Sequence, residues 1–182
     1  MAVQCPTLED ILNADQCTEN LAGLGSVIYA GLKSDLKTPL TATDNEYTEP
    51  TFKPSTGLIK IECAEETQGI TGSSLKGRKG FKQTLEMAID SVNKLVAKNA
   101  RGLNNLDLFF IVPDGDEFQI MYSPNRRITV EDGGIQTNTG KAAGDERQTT
   151  CTFMLQPVFY PNYYVKITEI SKLLKTKPVE EP

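Results

Sequence analysis

The 182-residue sequence contains no histidine. Histidine is the usual general base near neutral pH and the commonest metal-binding side chain in proteins. Its absence excludes Ser-His-Asp and Cys-His nucleophilic sites as well as HExxH zinc sites. Only carboxylate or lysine chemistry would remain. We therefore expect a protein that is not an enzyme and has no catalytic residues.

Long apolar runs are missing as well. No stretch approaches the roughly 20 apolar residues that cross a bilayer, and the N-terminus lacks the basic and then apolar start of a signal peptide. The sequence predicts a soluble protein that is made in the cytoplasm and does not insert into a membrane.

Cysteines are few and none forms a CxxC pair. Cys63 and Cys151 lie on the apolar phase of predicted strands, which favours buried free thiols. Cys5 and Cys17 either pair with each other, hold an arm in place, or remain free thiols.

Positive charge is scarce in the first third of the chain. Residues 1–56 carry three basic and eight acidic side chains, whereas residues 57–182 carry sixteen of each. Gripping nucleic acid requires clustered lysine and arginine. This distribution predicts a surface that repels DNA.

Neither a metal nor a cofactor is expected. The acidic groups Asp114-Gly-Asp116-Glu117 and Glu131-Asp132 coincide with predicted turns and lack the ligand spacing of an EF-hand. Residues 72–77 resemble a phosphate-binding loop only superficially, because Arg78-Lys79 stands where that motif requires Lys-Ser/Thr.

Alternating apolar residues and turn signals predict strands over most of the chain, as at 26–30, 57–64, 106–112, 117–122, 127–131, 147–160 and 163–167. The fold class is therefore α+β, mainly antiparallel β, in the form of a β-sandwich or a small barrel with one flanking helix. We divide the chain into an N-terminal arm (1–22), one β-rich domain (23–169) and a C-terminal tail (170–182). The domain includes a long irregular loop at 33–56, which is either a surface loop or bound to a partner.

The single helix is predicted over residues 81–100. Its large apolar residues recur mostly at steps of three and four, which places them along one face: Phe81, Leu85, Ile89, Val92, Leu95 and Val96, with Ala88 in the same stripe. Gly102 is interpreted as the left-handed stop of this helix. Residues 69–80, just before it, are predicted to form a basic loop.

Two oppositely charged loops suggest a subunit that associates with copies of itself. The hypothesis is that the acidic loop of one copy contacts the basic loop of another, and that the Arg126-Arg127 pair is solvated or contacts a neighbouring subunit. The interface residues in this hypothesis are Asp44, Glu46 and Glu49 on the acidic side and Lys76, Arg78, Lys79 and Lys82 on the basic side. The aromatic group at 159–164 has two interpretations, core packing or an interface.

The order of these features resembles that of bacteriophage tail-tube (major tail) proteins. The likeness is carried by GLGSVIYAGLKSDL near the N-terminus, FKQTLEMAIDSV, the hairpin LDLFFIVPDGDEFQIMYSP, and TNTGKAAGDERQTTCTFMLQPVFYPNYYVKI, and it covers residues 23–169. It rests on the order and general character of these segments and not on one motif. The N-terminal arm with Cys5 and Cys17 departs from the pattern.

The resemblance implies a structural protein of the virion tail. It implies a hexameric ring that stacks through a long loop and terminal arms, contacts other tail proteins, and encloses a channel through which DNA passes at ejection without specific binding. A phage head–tail connector or completion protein, or another non-enzymatic binding module, is the alternative.

Overall fold

The computed structural model describes residues 26–77, 80–141 and 147–175. The described chain forms eleven strands and one α-helix, α1 (Lys94–Asn105). The strands are β1 (Val27–Leu32), β2 (Ala42–Thr43), β3 (Glu46–Tyr47), β4 (Ile59–Glu62), β5 (Gly69–Ser74), β6 (Phe81–Ile89), β7 (Leu108–Asp114), β8 (Glu117–Met121), β9 (Thr129–Asn138), β10 (Gln148–Val158) and β11 (Tyr164–Val165).

These strands form two sheets. One has seven strands in the order β2-β3-β11-β8-β7-β1-β4, and the other has four in the order β5-β6-β10-β9. Every pairing is antiparallel except that of β11 with β3. The α+β, mainly antiparallel sandwich with one helix is therefore confirmed, and no sheet of the described chain closes into a barrel.

The core lies between the two sheets. Phe110 in β7 meets Phe153 in β10 with ring centroids 4.7 Å apart, which joins the layers at their centre. Leu108 to Val112 are all buried, because β7 is an interior strand covered on both faces. This confirms the prediction of a central strand here. The hairpin from β7 to β8 also turns where predicted, with Gly115 at φ +60°.

The segment at 33–56 covers the other face of the seven-stranded sheet. The prediction of a long loop without structure of its own is wrong, because short strands β2 and β3 lie within it and Leu36 bridges to Phe52. Its apolar side chains are widely spaced and therefore show no period, yet they are buried against the sheet. Phe52 stacks on Phe109 at 6.3 Å, and Tyr47 meets Tyr122 edge-on at 5.2 Å.

The helix predicted over 81–100 is wrong in its first half. Residues 81–89 form β6, which pairs with β5 on one side and β10 on the other. Gln83, Leu85 and Met87 point into the core at alternate positions, as in a half-buried strand. The apolar spacing of four residues that suggested a helix is also a multiple of two. The polar Gln83 concealed the alternation.

Helix α1 begins after Asn93, whose side-chain oxygen accepts a hydrogen bond from the Val96 amide at 2.9 Å. Gly102 does not stop the helix, because it lies inside α1 and its carbonyl accepts from the Leu106 amide at 3.0 Å. Of the twelve described residues of α1, Leu103 is the only buried one. The prediction that Leu95 lies on the buried face is wrong, because its side chain is 65% exposed. The helix therefore flanks the sandwich, next to β9, and contributes little to the core.

Two further boundaries differ from the sequence prediction. Residues 69–74, predicted as part of a basic loop, form strand β5. The predicted polar tail begins as a single 3-10 turn at Ile170–Leu173, after which Leu174 bridges to Leu58. The predicted N-terminal arm and residues 176–182 lie outside the described residues. No helix in the described chain has the length and apolar character needed to cross a membrane.

Candidate assembly surface

The outward face of the four-stranded sheet is polar and rich in hydroxyl groups. Leu85, Cys151 and Phe153 face the core, so the residues between them face outward. The outward side chains from β5, β6 and β10 are Thr71, Ser73, Lys82, Thr84, Glu86, Thr150, Thr152 and Met154. Lys82 and Glu86 are the two charged residues in this set, and they carry opposite signs.

Within the described chain neither edge strand of this sheet pairs with a second strand, although α1 lies beside the first half of β9. There β5 pairs with β6 alone, and β9 pairs with β10 alone. The edge strand β5, with sequence GITGSS, has neither a charged residue nor a proline. Monomeric proteins usually protect edge strands with such residues, because free backbone groups recruit other strands. The β5 edge lacks these protections.

The register of β5 shows which backbone groups point outward. The Leu75 amide donates to the Gly80 carbonyl at 2.9 Å, which identifies these two residues as a hydrogen-bonded pair. Hydrogen-bonded and non-bonded pairs alternate along an antiparallel ladder. The residues of β5 that direct their amide and carbonyl groups away from β6 are therefore Ile70, Gly72 and Ser74.

The segment after β10 covers one face of β5 but not its hydrogen-bonding edge. A Cβ atom placed on Gly72 would lie 2.5 Å from the Pro161 carbonyl oxygen, so only glycine fits beneath this segment. A Cβ stands perpendicular to the sheet, hence Pro161 lies above the strand and not beside it. In the aromatic group, Tyr163 is buried, which confirms core packing at that position, whereas Phe159 is 87% exposed and an interface there stays a prediction.

The acidic residues of the interface hypothesis lie on the seven-stranded sheet. Asp44 occupies the turn between β2 and β3 with φ +55°, and Glu46 begins β3, so both are exposed at that sheet's edge. Glu49 is also exposed and accepts a hydrogen bond from the Thr168 amide at 3.2 Å. This contact anchors the segment at 33–56 to the chain that follows β11.

The basic residues lie on the other sheet. Lys76 is exposed in the turn after β5, and the half-exposed Lys82 lies near the start of β6, while Arg78 and Lys79 are outside the described residues. The acidic and basic groups therefore belong to different sheets of one chain, and no ion pair between their described members is seen. Whether they meet between copies stays a prediction.

The arginine pair has a structural role at its second position. Arg127 donates to the carbonyl oxygens of Asn105 and Leu106, the latter at 3.3 Å, and so caps the end of α1. Arg126 is exposed, and its carbonyl oxygen accepts a hydrogen bond from Lys33. No local sequence pattern predicts this capping contact, because it joins residues 21 and 22 positions apart.

The thiols of the described chain are poor nucleophiles. Burial raises the pKa of Cys63 and of Cys151 to about 11 from an ordinary value of 9.0. Both are free, and the Cys63 sulfur lies 4.0 Å from that of Met87. A catalytic cysteine requires a lowered pKa, so this environment favours packing and not catalysis.

The comparisons with known proteins are negative. No protein-family model, curated protein or solved structure matches the chain. The functional argument therefore rests on the geometry of the sheet edges and on the distribution of charge. Sequence reasoning located the charged residues but missed the β5 edge. Ile70 is the one large apolar residue of β5, so its sequence shows no apolar and polar alternation that would predict a strand.

Proposed function

We propose that the protein is a structural subunit that assembles with copies of itself into stacked rings around a channel, as the tail-tube subunit of a bacteriophage. The observation that carries this proposal is the pair of open edges on the four-stranded sheet. The mainly antiparallel sandwich with one flanking helix also agrees with the architecture that the family resemblance implies.

The number and direction of the strands suit closure into a ring. The four strands alternate in direction, so edge strands β5 and β9 run antiparallel to each other. In a cyclic ring every copy has the same orientation, and β5 of one copy then lies antiparallel to β9 of the next. Such pairing would continue the hydrogen-bonding ladder from copy to copy and leave no edge of the four-stranded sheet free.

The outward face of this sheet suits a channel for DNA. Its side chains are mostly uncharged, and the chain as a whole has a net charge of −5. DNA is held by clustered cations that release its counterions, and this face has no such cluster among its described residues. A polar surface whose single lysine, Lys82, is balanced by Glu86 would let the duplex slide without binding it.

The β9 edge needs a local adjustment for this pairing. Its ladder with β10 shifts register between Cys151 and Phe153, and a bulge at Asp132–Gly134 separates the two paired halves. Bulges increase local twist and often occur at the rims of barrels. We propose that the half of β9 from Gln136 to Asn138, with its exposed polar side chains, receives β5 of the next copy.

The test is electron microscopy of the purified protein together with an edge-blocking variant. Wild type should form rings or tubes. Ser74→Pro should abolish them while retaining the folded core, because Ser74 directs its amide outward and proline has no N–H. Ser74→Ala keeps the amide and is the matched control, which should assemble like wild type.

Three outcomes overturn the proposal. If wild type stayed monomeric at all concentrations, ring formation would be excluded. Assembly of the Ser74→Pro variant at wild-type yield would show that the β5 edge does not join the copies. Single rings that never stack would favour the connector protein instead. If the acidic and basic loops also join copies, assembly should weaken when salt rises well above about 0.15 M.

A further inference from the structure

The outer surface of α1 is both basic and apolar. Lys94, Lys98 and Arg101 are exposed at steps of three and four residues, which places them in one row along the helix. Leu95 is 65% exposed in the described chain, and Leu106 is 48% exposed. The Leu106 side chain lies over Gly102, one carbon being 3.7 Å from the Cβ position of that glycine. Two exposed leucines, one near each end of the helix, therefore accompany the basic row.

The N-terminus of α1 favours negative charge, but the first turn supplies none. The first turn of α1 contains no acidic residue, although a helix N-terminus favours anions. Lys94 adds a positive charge at that end, and Arg147 donates to the Val92 carbonyl at 2.7 Å just before it. The nearby carboxylates are few, and Asp107 already pairs with Lys33 at 3.1 Å.

The other acidic groups near α1 are Asp90, which is exposed just before the helix and forms no ion pair in the described chain, and two carboxylates beside Arg101. Glu131 and Asp132 line a groove of about 540 Å³ between β9 and the side of the helix that carries Ala100, Arg101 and Asn104. They line it together with Arg101, whereas Lys94 and Lys98 do not line this groove. The surface around Lys94, Lys98 and Leu95 is thus basic, partly apolar and without a partner in the described chain.

The N-terminal arm has the complementary composition. Residues 1–25 contain four acidic side chains and no lysine, arginine or histidine. Leu8, Ile11 and Leu12 are interspersed with Glu9 and Asp10, so this stretch offers apolar and acidic groups together. The acidic turn at Asp44 and Glu46 offers charge without large apolar side chains, and it therefore fits this surface less well.

The chain enters the fold close enough for the arm to reach α1. The Ser26 carbonyl accepts from the Cys63 amide at 2.8 Å, and the next residue, Ala64, donates to the Ala88 carbonyl at 2.8 Å. Ala88 is near the end of β6, which leads directly into α1. A helix of twelve residues is about 18 Å long, whereas ten extended residues span about 33 Å.

We propose that residues 7–22 of the arm dock on the outward surface of the chain's own α1, with their carboxylates near Lys94 and Lys98 and their apolar residues on Leu95. The occupant of this surface is thus a segment of the same chain that carries both acidic and apolar side chains. It is independent of ring formation, because the β5 and β9 edges take no part in it.

The arm's own cysteine reports on docking. In the reduced full-length protein, the alkylation rate of Cys17 is measured by mass spectrometry. Lys94→Glu/Lys98→Glu should raise this rate about tenfold, since each reversal replaces an attraction with a repulsion. The variant should fold, because both lysines are exposed and a glutamate at position 94 lies in the first turn, where negative charge is favourable. Lys37→Glu/Lys166→Glu makes the same change of charge at exposed positions elsewhere and should leave the rate within about twofold of wild type.

Leu95→Ser tests the apolar contact without changing charge and should also raise the Cys17 rate. Equal rates in wild type, both α1 variants and the control would overturn the proposal. So would protection of Cys17 that disappears on dilution, because the arm would then be docked on a second copy. Measurement in the Ser74→Pro background separates this result from a failure of ring assembly.

Discussion

The amide of Gln83 is the most unusual group in the core, and it yields a sharp prediction. Its side chain is 0% exposed, and neither its nitrogen nor its oxygen has a hydrogen-bond partner among the described residues. It faces the core from β6, between Gly72 in β5 and Leu155 in β10. A buried polar group without a partner costs about 1–3 kcal/mol of stability.

Replacement by methionine removes that cost at nearly constant volume. Gln83→Met should therefore raise the free energy of unfolding by about 1–3 kcal/mol. For a chain of this length each kcal/mol corresponds to roughly 2–4 °C in melting temperature. Chemical denaturation followed by circular dichroism gives the free energy directly, and its slope should stay unchanged if the substitution affects only native stability.

Gln119→Met is the matched control and should have the opposite sign. The Gln119 amide nitrogen donates to an Asp114 carboxylate oxygen at 2.6 Å, so this substitution removes a hydrogen bond to a charged group. The expected net loss is about 1 kcal/mol, because the Gln119 oxygen has no partner among the described residues and its removal offsets part of the lost hydrogen bond. If Gln83→Met were neutral or destabilising while Gln119→Met behaved as expected, the Gln83 amide must be satisfied in the folded protein, and the reasoning would be refuted.

Two further predictions concern stability. Leu85→Ala should lower the free energy of unfolding by about 2–5 kcal/mol, because Leu85 is fully buried. Leu95→Ala on α1 should change it by no more than about 0.5 kcal/mol, because Leu95 is exposed. Similar losses for both variants in denaturant titrations would instead support one helix over 81–100. Stability should also fall as pH rises from about 9 to about 11, because the unfolded thiols of Cys63 and Cys151 lose protons in that window before the folded ones do. The contribution of the two thiols to stability is fully present below pH 9. In the double variant Cys63→Ala/Cys151→Ala, stability should therefore fall less steeply between pH 9 and 11. An equally steep fall would show that the thiols are not its cause.

Local signals predicted the parts of the fold that local interactions decide. The hairpin of β7 and β8 was predicted because its Pro-Asp-Gly-Asp turn lies between two apolar strands, and a turn of this kind needs only neighbouring residues. The apolar run before it could belong only to a strand covered on both faces. The mainly antiparallel fold class followed from several such segments in succession.

The segment from Phe81 to Ile89 shows what local pattern cannot decide. Leu85 and Ile89 fit a helical spacing and a strand spacing equally well. The strand forms because β5 and β10 hydrogen-bond to it from both sides, which is a tertiary effect. The true helix follows it and was misplaced because Gly102 was interpreted as a stop. The candidate interface shares this limitation, because an open edge exists only once all four strands have paired.

The sequence by itself determined the class of fold, the absence of histidine chemistry, and the unequal distribution of charge, since each follows from composition or from neighbouring residues. Tertiary structure decided which strands lie at the edges, how the segment at 33–56 covers Phe109, and which surface of α1 faces outward. The physical reason is that pairing and burial join residues far apart in the chain. Their energies are absent from any local window of sequence.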